Sequence, residues 1–308
     1  MTTIPASNFF APLAHLGLVR AAGADALGFL QNQLSSDVGA LAPGRMQPSS
    51  YSSAKGRVLA VLGLRRAADA IWLETRRELV PGLVKRLRMY VLRSKVSLDD
   101  VSDEISALGL WGPAAPKLLA QAGLPVPAQD WDCAESQGLA LVRRPGAQAR
   151  FSLHGPAPAL ERLQAAFGAQ AQAASLDAWR LLDIEAGLPA VSSATAEHFV
   201  PQMLDLDRIG AISFTKGCYP GQEIVARMHY LGNLKRRLFL SYTDGAAAPA
   251  TPVQAAGEEQ AVGEVLESAP HPQRGTALLL VLQMAQAGTP LSLAGGATLA
   301  APQGFLKA

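Results

Sequence analysis

The longest uninterrupted apolar run in this chain of 308 residues is the stretch Ala277 to Leu282. A membrane-spanning helix needs roughly 18–20 apolar residues, so a spanning segment is not expected. Runs this short, punctuated by 28 glycines and 21 prolines, direct the chain toward short strands and short amphipathic helices. Material for a core is ample: hydrophobic residues make up 49% and charged ones 17%, which excludes a wholly disordered chain. At roughly 150 residues per domain, the length predicts about two domains.

Residues 1–19 contain no lysine or arginine, and Pro5 and Pro12 interrupt the apolar stretch, so neither an export signal nor a transit peptide is read there. The expectation is a soluble cytoplasmic protein. Cys133 and Cys218 are the only two cysteines. That count excludes a disulfide-dense scaffold and falls short of the four ligands of an ordinary iron–sulfur or structural zinc site. No metal site of the chain's own is expected. A net charge of +2 is no polyelectrolyte signature, so no stable direct binding of nucleic acid is expected either.

The first two hundred residues read as mixed α and β. Ala26, Leu27, Phe29, Leu30 and Leu34 follow Asp25 at the spacing of a short capped helix. Ser50 to Leu64 reads as strand broken at Gly56, with Trp72, Leu73 and Thr75 as a partner. Arg76 to Arg93 is the clearest helix of this half: Leu79, Val80, Leu83, Val84, Leu87 and Val91 share one face, and Pro81 suits a first turn. From Arg65 to Lys95 nine basic and three acidic residues give a local charge of +6, followed by Asp99, Asp100, Asp103 and Glu104. That stretch is either a solvated face neutralised nearby or a patch that attracts anions.

Residues 112–175 are rich in Ala, Gln, Gly and Pro. Trp111-Gly112-Pro113 and Leu153-His154-Gly155-Pro156 each read as a strand end turning into a helix, with His154 in a turn or on the surface. Ser175 can cap a helix carrying the stripe Leu176, Trp179 and Leu182, ended by Gly187-Leu188-Pro189. Beyond Phe214 the reading is β: Val225 to Tyr230, Lys235 to Tyr242, Val262 to Glu267, Ala277 to Gln283 and Pro290 to Leu293 are predicted strands, and the tail from about Asn233 reads as a small antiparallel barrel or sandwich.

The chemistry concentrates in Lys216-Gly217-Cys218-Tyr219-Pro220-Gly221-Gln222-Glu223. Gly217 and Gly221 permit backbone angles other residues resist, so something can approach the main chain closely. Lys216 and exposed backbone N–H groups can favour a thiolate at Cys218, and Gln222 and Glu223 can orient a polar substrate. Cys218 is a reactive or ligand cysteine, or else a packing one. Cys133 has no such setting and reads as packing. His198 and His229 are the nearby bases for a hydrolase dyad, but no acid partner singles either out.

The run KGCYPGQEIVAR, Lys216 to Arg227, closely resembles the signature of the YgfZ family of folate-binding proteins, relatives of the T-protein aminomethyltransferase of the glycine cleavage system. FLQNQLSSDV (Phe29 to Val38), Lys55-Gly56-Arg57, LRSKV (Leu92 to Val96), DIEAGLP (Asp183 to Pro189) and FVPQ (Phe199 to Gln202) look like family blocks in the family's order. The corresponding aminomethyltransferase loop lacks a cysteine, so Cys218 favours YgfZ over the transferase.

The resemblance implies an α+β, T-protein-like ring of subdomains around a folate cleft: residues 1–232 as two interleaved α+β subdomains and 233–308 as a C-terminal antiparallel β-barrel. The implied role is tetrahydrofolate-dependent help in assembling or repairing iron–sulfur proteins, among them enzymes that thiolate or methylthiolate tRNA. The chain would then be a monomeric accessory factor more than an aminomethyltransferase, its partners being a folate and iron–sulfur clients or assembly proteins. A folate-dependent one-carbon transferase is the alternative, and a redox or scaffold protein with a structural folate the third reading.

By resemblance, Cys218, Lys216, Tyr219, Gln222 and Glu223 carry the chemistry, and a cluster would be held only transiently. Trp179, Glu185, Gly217, Gly221, Arg227 and Arg236 would serve the folate. An indole can stack on a pterin and a carboxylate can accept its paired N–H groups. The alternative readings are a core residue for Trp179, a helix-end ion pair for Glu185, and strand decoration for Arg227 with Arg236 or Arg237. Bacterial family members carry a further folate-associated tryptophan before the Gly-Ala-Asp turn. His15 to Ala22 has none here; the other tryptophans are Trp72, Trp111 and Trp131.

Overall fold

The computed structural model describes residues 7–67, 70–168, 170–258 and 260–305, so Pro5 lies outside the described residues. In chain order the elements are β1 (Phe9–Pro12), β2 (Leu16–Ala22), α1 (Ala26–Gln31), β3 (Met46–Ser52), β4 (Val58–Ala67), β5 (Ala70–Arg76), α2 (Val80–Arg88), β6 (Ser97–Asp100), β7 (Ser106–Trp111), α3 (Ala115–Gln121), β8 (Cys133–Ser136), β9 (Leu139–Arg143), β10 (Arg150–Gly155), α4 (Ala157–Phe167) and β11 (Gln172–Ala173). The remainder are α5 (Leu176–Glu185), α6 (Gln222–Tyr230), β12 (Arg236–Thr243), β13 (Pro252–Ala255), β14 (Gly263–His271), β15 (Gly275–Gln283), β16 (Leu291–Leu293) and β17 (Gln303–Gly304). The strands form three sheets, ordered β11-β1-β7-β10-β9-β8, β3-β4-β5-β2-β6 and β16-β13-β14-β15-β12-β17. Among the described residues no helix is long and apolar enough to cross a membrane.

Contacts divide the chain into two compact units: Met1–Ala26, Ala40–Gln47 and Gly63–Trp179 in one, and Leu27–Gly39, Pro48–Leu62 and Arg180–Ala308 in the other. In the first, the two strand-to-helix turns read at Trp111 and Gly155 are real: β7 runs into α3 and β10 into α4. β7 and β10 lie antiparallel side by side. Leu108, Leu110, Phe151 and Leu153 from these strands pack with Leu118 and Leu119 of α3 and Leu160 and Phe167 of α4.

The basic helix is shorter than its apolar periodicity predicts. A 3-10 turn at Arg77–Leu79 precedes α2, which buries Val80, Leu83, Val84 and Leu87 and stops at Arg88. Met89, Tyr90 and Leu92 beyond it are exposed. Part of its charge is answered locally, since Arg77 pairs with Asp103 and Arg88 lies 3.8 Å from Asp99.

His154 is neither a turn nor a surface residue. It sits on β10, 4% exposed, with Nε2 3.1 Å from Glu74 on β5 and 3.1 Å from Ser152 Oγ. Arg144 pairs with Glu74 and donates through Nε to Ser152 at 2.9 Å. Burial alone would raise the Glu74 carboxyl, but the Arg144 guanidinium and the His154 ring hold it well below the usual carboxylate range. Burial lowers His154 against the pull of Glu74. Cys133, half-buried on β8, has its thiol pushed up to about 12 by burial, in keeping with a packing residue.

In the second unit the opening apolar run becomes the centre of a sheet. Ala277 to Leu282 are all buried on β15, which pairs antiparallel with β12 on one side and β14 on the other. Alternate residues Leu278, Leu280 and Leu282 pack with Val253, Val265, Leu291 and Leu293, so both faces of this strand are covered and no polar alternation is needed. The sheet is open, not the barrel expected. Its edges are β16 and β17, of 3 and 2 residues, too short to pair along a seam.

Candidate functional site

Cys218 is exposed on the irregular loop between Ala211 and Gly221. What fixes that loop is Lys216. Its Nζ donates to the carbonyls of Gln31 and Leu34, the latter at 2.7 Å, and of Ser36 at 2.9 Å. Three ammonium protons thus meet three carbonyls at the end of α1 and the turn after it. Burial pushes the Lys216 amine down to about 8, with Asp37 pulling it up. The ammonium also lies 5.2 Å from the Tyr219 ring centroid, a cation–π distance. Tyr219 is buried, which pushes its phenol up to about 12. Lys216 and Tyr219 are therefore the anchors of the loop that presents Cys218.

The C-terminal end of the loop is seated by glycines. Gly221 has φ +80°, and a Cβ there would lie 2.6 Å from both Ser53 O and Gly56 Cα. Gly56, φ +68°, faces Ile224 of α6 in the same way, at 2.8 Å for a Cβ. The close approach expected of Gly221 is thus the turn Ser53–Gly56 itself. Gly217 has open space at its Cβ position and no left-handed backbone.

From Gly221 the chain enters α6, which corrects the strand expected over Val225 to Tyr230. Gln222 opens the helix, its N–H donating to Tyr219 O at 3.1 Å, and Glu223 stands exposed in its first turn. Acidic side chains favour that end of a helix dipole. Gln202 Nε2 donates to Val225 O at 2.7 Å, tying FVPQ to α6. Arg57 donates to His198 O, and Val58 N–H to Phe199 O at 2.8 Å. The blocks around Phe29, Gly56, Phe199 and Cys218 therefore assemble into one support.

Sequence reasoning missed the serines beneath that support. Ser35 Oγ donates to Ala211 O at 2.7 Å and lies 2.8 Å from Ser50 Oγ; Ser36 Oγ donates to Ser49 Oγ at 2.8 Å. All four are buried. The Ser35-Ser36 pair inside FLQNQLSSDV was the available signal, since adjacent buried hydroxyls need partners.

The two histidines weighed as bases are committed elsewhere. His198 Nδ1 is 2.7 Å from Glu264, and His229 stacks on Phe214 at 3.7 Å between ring centroids.

Glu185 ends α5 with its side chain 37% exposed, 3.6 Å from His271 Nε2. Tyr242 meets His271 edge to face, at 5.4 Å, and carries the Arg274 guanidinium over its ring at 4.8 Å. Burial, then the Glu185 carboxylate, raises the Tyr242 phenol. This is a half-open cluster of one carboxylate, one phenol, one imidazole and one guanidinium. Arg227 is exposed on α6 and Arg236 half-buried at the start of β12. Arg237 is bound instead to Asp205 at 3.0 Å and Asp207 at 2.8 Å.

Trp179 belongs to the first unit and is 2% exposed. Its indole packs on Gly109 of β7, where a Cβ would lie 2.5 Å from the ring. Trp111 meets it edge-on at 5.7 Å, and Arg150 covers it at 5.1 Å. Of the two roles open to Trp179, this geometry displays the core role.

No family model matches the chain. The tRNA-modifying protein YgfZ of Colwellia psychrerythraea is 32% identical over 232 residues, 75% of this chain and 71% of that protein. The tRNA-modifying protein YgfZ of Yersinia pestis strain Pestoides F is 31% identical over 242 residues, 79% of this chain and 72% of its own. Among solved structures, the glycine cleavage system aminomethyltransferase T of Bartonella henselae superposes with a TM-score of 0.80 at 20% identity, covering 96% of this chain and 84% of that one. The fold is that of the T-protein.

Proposed function

Because the chain belongs to the family of the tRNA-modifying protein YgfZ, we propose that it serves iron–sulfur enzymes, including those that modify tRNA, through the thiol of Cys218 and with a folate as cofactor. The observation that carries this reading is the construction around Cys218. Lys216, Tyr219 and Gly221 immobilise both sides of a cysteine that is itself exposed. A packing cysteine needs no such support. A thiol that must meet an iron or sulfur atom of another protein's cluster does, because orientation supplied in advance is entropy not lost on encounter.

The cluster is cargo. Two cysteines per chain suit a donor of one transient ligand more than a store. Cys218 would act as thiolate, its proton going to solvent, and Gln222 and Glu223 would contact the polar surface around the client's cluster.

For the folate, Glu185 fits: a half-exposed carboxylate can accept paired N–H groups of a pterin, with Tyr242 beside it. Arg227 and Arg236 are the cations for the anionic glutamyl tail. Trp179 offers no open face and would respond to folate only through repacking. When bound, the folate supplies one-carbon or redox chemistry; the chain's part is to bind and orient it.

The competing reading, a one-carbon transferase of T-protein type, makes the opposite prediction for one residue. In cells lacking the protein, Cys218→Ala should fail to restore methylthiolation of tRNA, by about ten-fold or more as for loss of a covalent group, while still binding tetrahydrofolate. Full rescue by Cys218→Ala would sink the thiol mechanism. Tetrahydrofolate binding unchanged in Glu185→Gln would remove Glu185 from the folate site.

A further inference from the structure

The first unit contains a cavity of about 410 Å³ walled by Arg65, Trp72, Ile105, Glu135, Leu139 and His154, among others. The volume lies in the range of small-molecule sites. One charge in it is unusually placed. The Arg65 side chain is 8% exposed, yet the carboxylate bonded to its Nη1, Glu135 at 2.9 Å, is 54% exposed. Its guanidinium also covers the Trp72 ring at 4.7 Å.

The buried carboxylate Glu74 is taken up by Arg144 and His154, and the carboxylate bonded to Arg65 stands half in water. Burial of a guanidinium is costly, and lowers Arg65 here. A rim carboxylate repays little of that cost, because water screens the pair and its rotamers stay free. A carboxylate inside the cavity would bond the guanidinium's planar fork at two points in a drier setting.

We propose that this cavity is a binding site for a small organic carboxylate, whose anion displaces Glu135 from Arg65 and whose apolar body lies against Trp72, Ile105 and Leu139. A single arginine with a glutamate left nearby favours a monoanion over a phosphate dianion. Glu135 is the placeholder: it closes the charge balance when the cavity is empty and swings to solvent when it is filled.

Benzoate is the probe. Titrated into the full chain and followed by saturation-transfer NMR, it should bind saturably, and benzyl alcohol, of similar shape without the charge, about ten-fold more weakly or worse. Arg65→Gln should weaken benzoate by about ten-fold, and Glu135→Gln should tighten it about three-fold by removing the competitor. Cys218→Ala should leave it unchanged, separating this site from the cysteine loop. The proposal is overturned if benzoate does not saturate, if inorganic phosphate binds more tightly than benzoate, or if Glu135→Gln binds benzoate no better than the natural chain. Glu135 is half exposed and its variant is expected to fold, so that last comparison decides even where Arg65→Gln fails to fold.

Discussion

Gly221 shows how much one missing Cβ controls at the residue scale. Its φ of +80° costs an ordinary side chain about 1–2 kcal/mol, and the 2.6 Å approach to Ser53 O and Gly56 Cα leaves no room for a methyl group. Gly217, in open space, carries neither constraint. Gly221→Ala should therefore lower stability by about 2–3 kcal/mol and alter the rate at which a disulfide reagent modifies Cys218. Gly217→Ala should stay within about 0.5 kcal/mol. Urea unfolding and thiol-modification kinetics on both variants check this; equal effects would mean that Gly221 is not seated on the turn. The sequence alone treats the two glycines alike. What separates them is a turn far earlier in the chain, at Ser53 to Gly56, and no local pattern encodes that distance.

At the scale of elements, legibility follows burial. β15 is readable because all of Ala277 to Leu282 is buried, and α2 because four apolar residues fall on one face. α6 buries only Val225, so it has no 3.6-residue stripe, and Ile224, Val225 and Tyr230 carry strand propensity. Tertiary contacts, the Gly221 turn and the Gln202 bond to Val225, decide for helix. The anchoring of the thiol loop was not legible: Lys216 beside Cys218 suggests electrostatic activation, whereas its protons are directed to carbonyls of α1 and the following turn.

That anchoring of loop to helix has a pH signature. The folded chain releases the Lys216 proton at about 8 and the unfolded chain near the ordinary value of 10.5. Between those values the unfolded state binds more protons, so stability from this group rises with pH. The stability advantage of the natural chain over Lys216→Met should widen from pH 8 to 10. An advantage that narrows would show that the three carbonyls hold the charge more firmly than burial expels it.

For the molecule as a whole, a net charge of +2 gives little self-repulsion near neutrality, so response to acid falls to particular buried groups. Glu74 and His154 act in the same direction. His154 is lowered by burial from 6.5, so the unfolded chain takes up that proton first and stability falls as pH drops below about 6.5. Glu74 is lowered from 4.5 by Arg144 and His154 against its own burial; its contribution is complete above that value and is lost as pH falls further. Stability measured by urea unfolding should decline in two stages, beginning near each value. His154→Gln should remove the first stage. Glu74→Gln should flatten the second and, by removing the buried carboxylate that pairs with Arg144, cost about 3–5 kcal/mol at pH 7. A Glu74→Gln variant as acid-sensitive as the natural chain would show that carboxylates other than this buried one set the acid limit. The sequence places His154 in a turn or on the surface and offers no reading for Glu74, because a contact between two sheets joins residues that no spacing rule connects.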